Sequence, residues 1–433
     1  MLSKMIKSKV ANNAIWIIIC KIAQSILGII ISALSARYLG PSNYGLVSYA
    51  ASIAAFVIPI TQLGLNCTIV KELIDNPDEE GLILGTSIFM SLISSFFCIL
   101  GTYLTVSFLN RDETITIVVC FLYSTMLLFV ATELIVFWFQ AHYYSKYASI
   151  SSLIAYVIVS LYKIYLLVTS KSVEWFALSH SIDYCLISIA LLFFYLKLGG
   201  KRLKLSFSTG KRLLSNSWTF IISGLLAVIY AQTDRIMLKN MVGNTESGYY
   251  SAAITTVTMI SFVFSAIIDS MRPYVFEGKQ ESDSVFKKRI KILYSIVFYL
   301  SVGYSILCCI FATPIINTLY GNEYKNSIAI LQVMVWYTVF NYYGGAQSVW
   351  FLAEKKQKYL VLLGGLGALL NVVLNLVLIP LLGGMGAGIA TLVTAIITNV
   401  VLCLIIKSTR RTVLLLFSSM NPKVILSLIK SGK

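Results

Sequence analysis

Long apolar runs separated by short polar segments are the dominant pattern of this chain. Twelve runs are long enough for a helix to cross a hydrocarbon layer about 30 Å thick, which takes about 20 residues. The first six lie near residues 13–35, 46–65, 82–108, 115–138, 148–168 and 175–196, and the second six near 215–237, 248–271, 290–311, 326–352, 358–380 and 385–406. We therefore predict an all-α membrane protein with about twelve transmembrane helices.

Lysine and arginine residues are distributed unevenly between alternate loops. The segments that follow even-numbered runs, together with both chain ends, hold most of the 34 basic residues, whereas the segments after odd-numbered runs hold few. Because positively charged loops remain in the cytoplasm, this pattern predicts two cytoplasmic termini. The loops of the other side are all short, so no folded external domain is expected.

Composition agrees with membrane embedding and limits the chemistry. The chain is 58% hydrophobic and 12% charged, with a mean hydropathy of +0.83, which leaves too little polar surface for a soluble domain. The excess of 34 basic over 18 acidic residues suits anionic lipid headgroups or an anionic substrate. No nucleic-acid, metal, nucleotide or hydrolase motif occurs, and the eight cysteines lie in or beside apolar runs. We expect free thiols, no nucleic acid, no cofactor and no enzymatic activity.

Two internal similarities indicate that the twelve runs form two related sets. The spacing G-x4-G-x2-S-x-A occurs at 40–50 and again at 243–253, and W-F-x-A-x4-K-Y occurs at 138–147 and again at 350–359. Chance similarity between apolar segments is the alternative. Duplication predicts two six-helix bundles, with an N-terminal bundle at 1–196, a basic cytoplasmic linker at 197–214, a C-terminal bundle at 215–406 and a basic cytoplasmic or interfacial tail at 407–433.

Four segments carry a family resemblance: ARYLGPSNYG at 36–45, DRIML at 234–238 continuing to GYYSAA at 248–253, LYGNEY at 319–324, and NLVLIP at 375–380. Together they resemble bacterial polysaccharide-biosynthesis membrane proteins, the oligosaccharide-lipid flippases of the O-antigen and capsule type. Their superfamily also holds multidrug and toxin extruders and the peptidoglycan-precursor flippase. The resemblance implies two six-helix bundles that rock around a central cavity in the bacterial plasma membrane, and this cavity opens alternately to the cytoplasm and the periplasm. The implied cargo is an oligosaccharide on undecaprenyl pyrophosphate, and the implied partners are a polysaccharide polymerase and a chain-length regulator.

Ionisable residues inside the apolar runs are the candidate functional residues, because a charge at the centre of a bilayer costs about 3 kcal/mol or more. A pyrophosphate headgroup needs cations that face a watery cavity. We predict that Lys21, Arg272, Lys163 and Arg235 bind the substrate. For Lys21 the alternative is an ion pair with a carboxylate such as Glu133 or Asp269. Arg272 and Lys163 could instead snorkel to the interface. For Arg235 the alternative is a structural role at a helix end.

Coupling to a proton or sodium gradient requires a carboxylate whose charge is balanced differently in two states of the transporter. The candidates are Asp269, Glu133, Asp183 and Asp234. His180 is expected to be a packed residue rather than a proton relay.

Local patterns add two structural expectations. Gly40 and Gly243 predict tight turns that need glycine. Tyr342, Tyr343 and Trp350 are expected in an interfacial aromatic belt, with stacking on sugar rings as the alternative.

Two rival functions remain open at this stage. A multidrug extruder of the same superfamily would favour acidic cavity residues over basic ones. A membrane-embedded polymerase or glycosyltransferase would usually need a sizeable loop that carries catalytic residues, and the short loops argue against it.

Overall fold

The computed structural model describes the backbone of residues 2–421 and the side chains of residues 16–421. This part of the chain is helical and contains no strand. Residues 422–433 of the predicted tail lie outside the described residues. Two compact units are present, Met1–Gln232 and Thr233–Lys433.

The first unit contains eight complete helices within the described residues and most of a ninth, which continues past Gln232. The helices are α1 (Leu2–Thr61), α2 (Ile69–Asp75), α3 (Glu80–Leu109), α4 (Thr114–Ser124), α5 (Met126–Thr132), α6 (Val136–Ala141), α7 (Ser145–Val168), α8 (Val173–Lys197) and α9 (Phe207–Met241).

Glycine sets the two turns that the sequence predicts. Helix α1 is interrupted at Gly40, whose φ of 68° and ψ of 171° lie outside the helical region. Pro41 follows, where the first position of a new helical segment tolerates proline. Gly243 has a φ of 121° just after α9. Both expectations of a glycine turn are confirmed.

Helix α3 shows why this sequence folds inside a membrane. Its small polar residues Ser87, Ser91 and Ser95 are buried, whereas Phe96 and Phe97 are exposed. Ser91 donates to the carbonyl of Thr61 at 2.7 Å and Ser95 to the carbonyl of Leu127 at 2.9 Å. Small residues allow close helix approach, and hydroxyl groups bond between helices. Large apolar side chains therefore face lipid, and small polar ones form the contacts between helices.

The second unit contains the end of α9 and ten further helices within the described residues. These are α10 (Asn244–Thr258), α11 (Ser261–Glu281), α12 (Asp283–Ile310), α13 (Ala312–Leu319), α14 (Asn326–Met334), α15 (Tyr337–Ala353), α16 (Lys358–Leu382), α17 (Gly384–Ile396), α18 (Leu402–Ile405) and α19 (Arg410–Ser419).

Aromatic residues form much of the core of the second unit. Tyr343 and Trp350 are 2% and 0% exposed, and Tyr342 stacks on Phe264 with ring centroids 3.8 Å apart. The expectation of an interfacial belt is therefore wrong for Tyr342, Tyr343 and Trp350, because α15 packs inside the unit. Helix α19 also packs against this core, where Tyr294 hydrogen-bonds Thr412 at 2.6 Å.

Ten segments of the described chain are long and apolar enough to cross a membrane. This count is two fewer than the twelve predicted runs. The first two predicted runs lie in one segment, Trp16–Thr61, of 46 residues, and the interruption at Gly40 divides it between the two runs. The predicted run 326–352 is divided between α14 and α15. The chain is thus an all-α, multi-pass membrane protein, and the exact count of twelve stays a prediction.

Candidate functional site

A polar cavity of about 210 Å³ lies within the first unit. Its walls come from α1, α4, α5, α7 and α8. The polar side chains that line it are Tyr123, Tyr156, Ser160, Lys163, His180, Asp183 and Tyr184. Three of these residues, Lys163, His180 and Asp183, are titratable residues that the sequence places inside apolar runs.

Two pairs of hydroxyl groups fix the wall between α5 and α8. Thr125 and Ser181 lie 2.7 Å apart, and Thr132 and Ser188 lie 2.6 Å apart. The two threonines also donate to carbonyls three residues earlier, Leu122 and Phe129, and such bonds within a helix favour bending. The single predicted run 115–138 is accordingly divided into α4, α5 and α6, and Glu133 begins the tighter turn Glu133–Ile135.

The charges of this region interact with one another. Asp183 interacts electrostatically with Lys163, which has the opposite charge, and with Glu133, which has the same charge. His180 stacks on Tyr123 at a centroid distance of 4.6 Å. Among the described residues, Lys163 has no hydrogen bond or ion pair within 4.0 Å, and Asp183 Oδ1 is buried without a hydrogen-bond donor. Lys163 and Asp183 therefore both retain unused hydrogen-bonding capacity within the cavity.

Asp234 is the centre of a second polar cluster, in the second unit. Its side chain is buried at the end of α9 and accepts hydrogen bonds from Tyr250, from Thr391 at 2.6 Å and from Asn375 at 2.5 Å. Asn375 also contacts Asn371 Oδ1 at 3.1 Å. A carboxylate with three donors from α10, α16 and α17 holds these helices together in the low-dielectric interior. Arg235, the next residue, is half-buried.

The remaining predicted residues lie apart from these clusters within their own units. Arg272 pairs with Asp269 at 3.0 Å, one turn earlier on α11, and the two side chains are 40% and 64% exposed. Lys21 is exposed on α1 and makes no ion pair among the described residues. The ion pair of Lys21 with Glu133 or Asp269 is therefore not seen among the described residues, and Asp269 pairs with Arg272. The binding and coupling roles assigned to all eight residues stay predictions.

Comparison with known proteins gives the family. The family model described as "Polysaccharide biosynthesis protein" matches residues 10–279, more than half of the chain. The chain belongs to the polysaccharide biosynthesis protein family. A relative from Shigella flexneri, described as "Putative O-antigen transporter", is 21% identical over 349 residues, covering 75% of this chain and 80% of the relative.

Solved structures show that this polysaccharide biosynthesis family member has the fold of a transporter superfamily. The lipid II flippase MurJ in an inward closed conformation superposes with a TM-score of 0.71 at 14% identity, covering 97% of this chain and 93% of that chain. An inward-facing multidrug resistance MATE family transporter of the MOP superfamily gives a TM-score of 0.70 at 13% identity, covering 95% and 96%. A MOP superfamily transporter from Pyrococcus furiosus gives 0.62 at 13% identity, covering 91% and 94%. The MOP-type transporter fold is therefore shown.

Sequence reasoning missed the uncharged residues that complete both clusters. Tyr123, Tyr156 and Tyr184 complete the cavity of the first unit, but tyrosines in a membrane protein also suit interfaces. Asn371 and Asn375 carried a usable signal, because two asparagines four residues apart in the otherwise apolar α16 share one face.

Proposed function

We propose that this chain is a flippase that moves oligosaccharide repeat units, linked to undecaprenyl pyrophosphate, from the cytoplasmic to the outer face of the bacterial plasma membrane. The family match over residues 10–279 carries this proposal. The O-antigen transporter description of the Shigella relative supports the oligosaccharide part of it. The fold shared with the lipid II flippase supports a lipid-linked cargo.

The cationic side chains suit an anionic cargo. Lys163 faces the cavity of the first unit and Lys21 lies exposed on α1, and neither makes an ion pair among the described residues. Charged hydrogen bonds from such groups replace part of the hydration that a pyrophosphate loses inside a membrane. In the proposed mechanism these lysines and Arg272 bind the headgroup while the protein alternates between two access states, without covalent change to the cargo.

Coupling to a proton or sodium gradient is part of the same proposal. Asp183 and Glu133 are the carboxylates whose charges act on each other near Lys163. Arrival of an anionic headgroup at Lys163 changes the balance of charge at both carboxylates. Asp234 already has three hydrogen-bond donors, which favours a structural role over coupling.

A multidrug extruder is the second candidate function. The MATE transporter shares the fold at a TM-score of 0.70, and Asp183 and Glu133 would suit a cationic drug. Expression of the chain in a drug-sensitive host distinguishes the candidates, because the flippase proposal predicts no rise in resistance to cationic drugs.

Deletion of the gene tests the flippase proposal directly. We expect lipid-linked repeat units to accumulate on the cytoplasmic face and surface polysaccharide to disappear, with both defects restored by the intact gene. Lys21→Ala is expected to weaken export at normal protein levels. Unchanged surface polysaccharide in the deletion strain would overturn the proposal, whereas full export by Lys21→Ala would remove only the role of that lysine.

A further inference from the structure

An apolar groove lies within the first unit between α3 and the start of α9. Its volume is about 610 Å³, within the range of about 300–1,000 Å³ that small-molecule sites occupy. One wall is a single face of α3, formed by Thr86, Phe89, Met90 and Ile93 at helical spacing. The other wall is the segment 205–214, which includes Lys211.

The segment that precedes α9 is held firmly against α3, so the groove is a built feature. A Cβ atom on Gly81 would lie 2.2 Å from the carbonyl oxygen of Arg202, and one on Gly85 would lie 2.3 Å from that of Lys204. The backbone amide of Ser206 donates to Thr86 Oγ1 at 3.0 Å. Two glycines one turn apart thus let the backbone of residues 202–204 rest directly on α3.

The groove is polar at one end and apolar along its length. Thr86, Ser206 and Lys211 are its polar members, and Ile93 lies two turns beyond Thr86, about 10 Å farther along the helix axis. Large apolar side chains beside it are exposed, with Phe207 at 92% and Leu205 at 60%. This gradient matches an amphiphile that lies with its head at the start of two membrane-spanning helices and its chain along α3.

The charge at the polar end favours an anionic head. Arg212 neutralises the nearby acidic residues, since it contacts Glu79 at 2.7 Å and Glu72 at 3.5 Å. Lys211 and Lys204 are exposed and have no carboxylate within ion-pair distance among the described residues. Basic residues at the end of a membrane helix attract anionic lipids, each by about 1 kcal/mol. We propose that this groove binds an anionic membrane phospholipid, with its phosphate at Lys211 and an acyl chain along Phe89, Met90 and Ile93.

Native mass spectrometry of the full chain tests this site. The protein is released from nanodiscs that contain equal amounts of phosphatidylglycerol and phosphatidylethanolamine. We expect retained phosphatidylglycerol to exceed phosphatidylethanolamine, and Lys211→Ala to reduce that preference about fivefold, the effect of one lysine. Lys71→Ala removes the same charge from the exposed face of α2, outside the groove, and is expected to keep the preference.

Ile93→Trp tests the apolar part, because Ile93 is 45% exposed and a larger side chain there fills the groove without entering the core. This variant is expected to lose retained phosphatidylglycerol while it keeps the melting temperature of the parent. The proposal is overturned if the parent retains both lipids equally, or if a polyprenyl phosphate co-purifies in place of the phospholipid. It is also overturned if Lys211→Ala keeps the full preference for phosphatidylglycerol, or if Ile93→Trp retains as much phosphatidylglycerol as the parent. The proposal does not depend on the transported cargo.

Discussion

At the residue scale, the carboxylate of Asp234 connects α9 to three other helices of the second unit through Tyr250, Thr391 and Asn375. In Asp234→Asn one carboxylate oxygen becomes an NH₂ group that faces a hydrogen-bond donor. At least one buried polar group then loses its partner, at a cost of about 1–3 kcal/mol. We expect a lower melting temperature for the purified variant in detergent.

Asp269→Asn is the matched control in the same unit. Asp269 is 64% exposed and its pair with Arg272 is a surface pair, worth at most about 1 kcal/mol. A similar loss of stability in both variants, or none in Asp234→Asn, would contradict the structural role of Asp234.

Lys163 offers a test of the cavity in the first unit. Lys163→Gln keeps most of the side-chain volume and removes the charge, so the headgroup loses a charged hydrogen bond worth about 1.5–3 kcal/mol. We expect export of surface polysaccharide to fall about tenfold or more at normal protein levels, measured by quantifying polysaccharide in a complemented deletion strain. Lys171→Gln changes an exposed lysine in the loop after the same helix and is expected to export normally. Equal export by both variants would exclude Lys163 from the path.

The sequence pointed to individual charges but not to their convergence. Glu133, Lys163 and Asp183 were each recognisable because an ionisable group inside an apolar run is rare. Their proximity depends on how α5, α7 and α8 pack. Hydrogen bonds between hydroxyl groups, such as that of Thr125 with Ser181, fix this packing. A serine or threonine in an apolar run gives no sign of which helix it will face.

At the element scale, the contact of residues 202–204 with α3 depends on a helix surface without side chains. In Gly85→Ala the new Cβ atom meets the Lys204 carbonyl at 2.3 Å, and such overpacking costs about 1–3 kcal/mol. We expect a lower melting temperature and faster tryptic cleavage after Lys201, Arg202 or Lys204, since the segment is displaced. Digestion of the purified protein followed by mass spectrometry measures the cleavage.

Gly101→Ala is the control on the same helix. A Cβ atom at Gly101 meets nothing within 4 Å, and alanine favours a helix over glycine by about 1 kcal/mol. This variant is expected to be as stable as the parent or more stable. If Gly85→Ala behaves like Gly101→Ala, the segment is not held as the structure shows.

Hydropathy located the elements better than it located their interruptions. The runs 148–168 and 175–196 correspond to α7 and α8 within a few residues. The run 115–138 is broken into three helices and the run 326–352 into two. Hydropathy did not predict these breaks, because hydroxyl-to-carbonyl bonds and tight turns bend a helix without changing the average hydropathy of the run. Gly40 and Gly243 were predictable, since their need for a positive φ is a property of the residue itself.

At the scale of the whole molecule, the sequence was sufficient for the fold class because lipid restricts a spanning chain to very few architectures. An all-α membrane transporter fold followed from the apolar runs and the family motifs, and it is confirmed. The duplication and the linker at 197–214 stay predictions. The two compact units divide within α9, after Gln232, and this division does not test the predicted linker.

The charge asymmetry between alternate loops predicts which loops face the cytoplasm, and labelling of one exposed thiol tests this orientation. Cys67 is exposed between α1 and α2, on the side that the positive-inside rule places in the cytoplasm. In intact cells a membrane-impermeant maleimide should leave Cys67 unlabelled and should label it after permeabilisation, with Cys67→Ser as the blank. Lys171→Cys in that Cys67→Ser background places a thiol in the loop between α7 and α8, on the predicted outer side, and should label without permeabilisation. Labelling of Cys67 but not of the residue 171 thiol in intact cells would reverse the orientation, and with it the direction of the proposed transport.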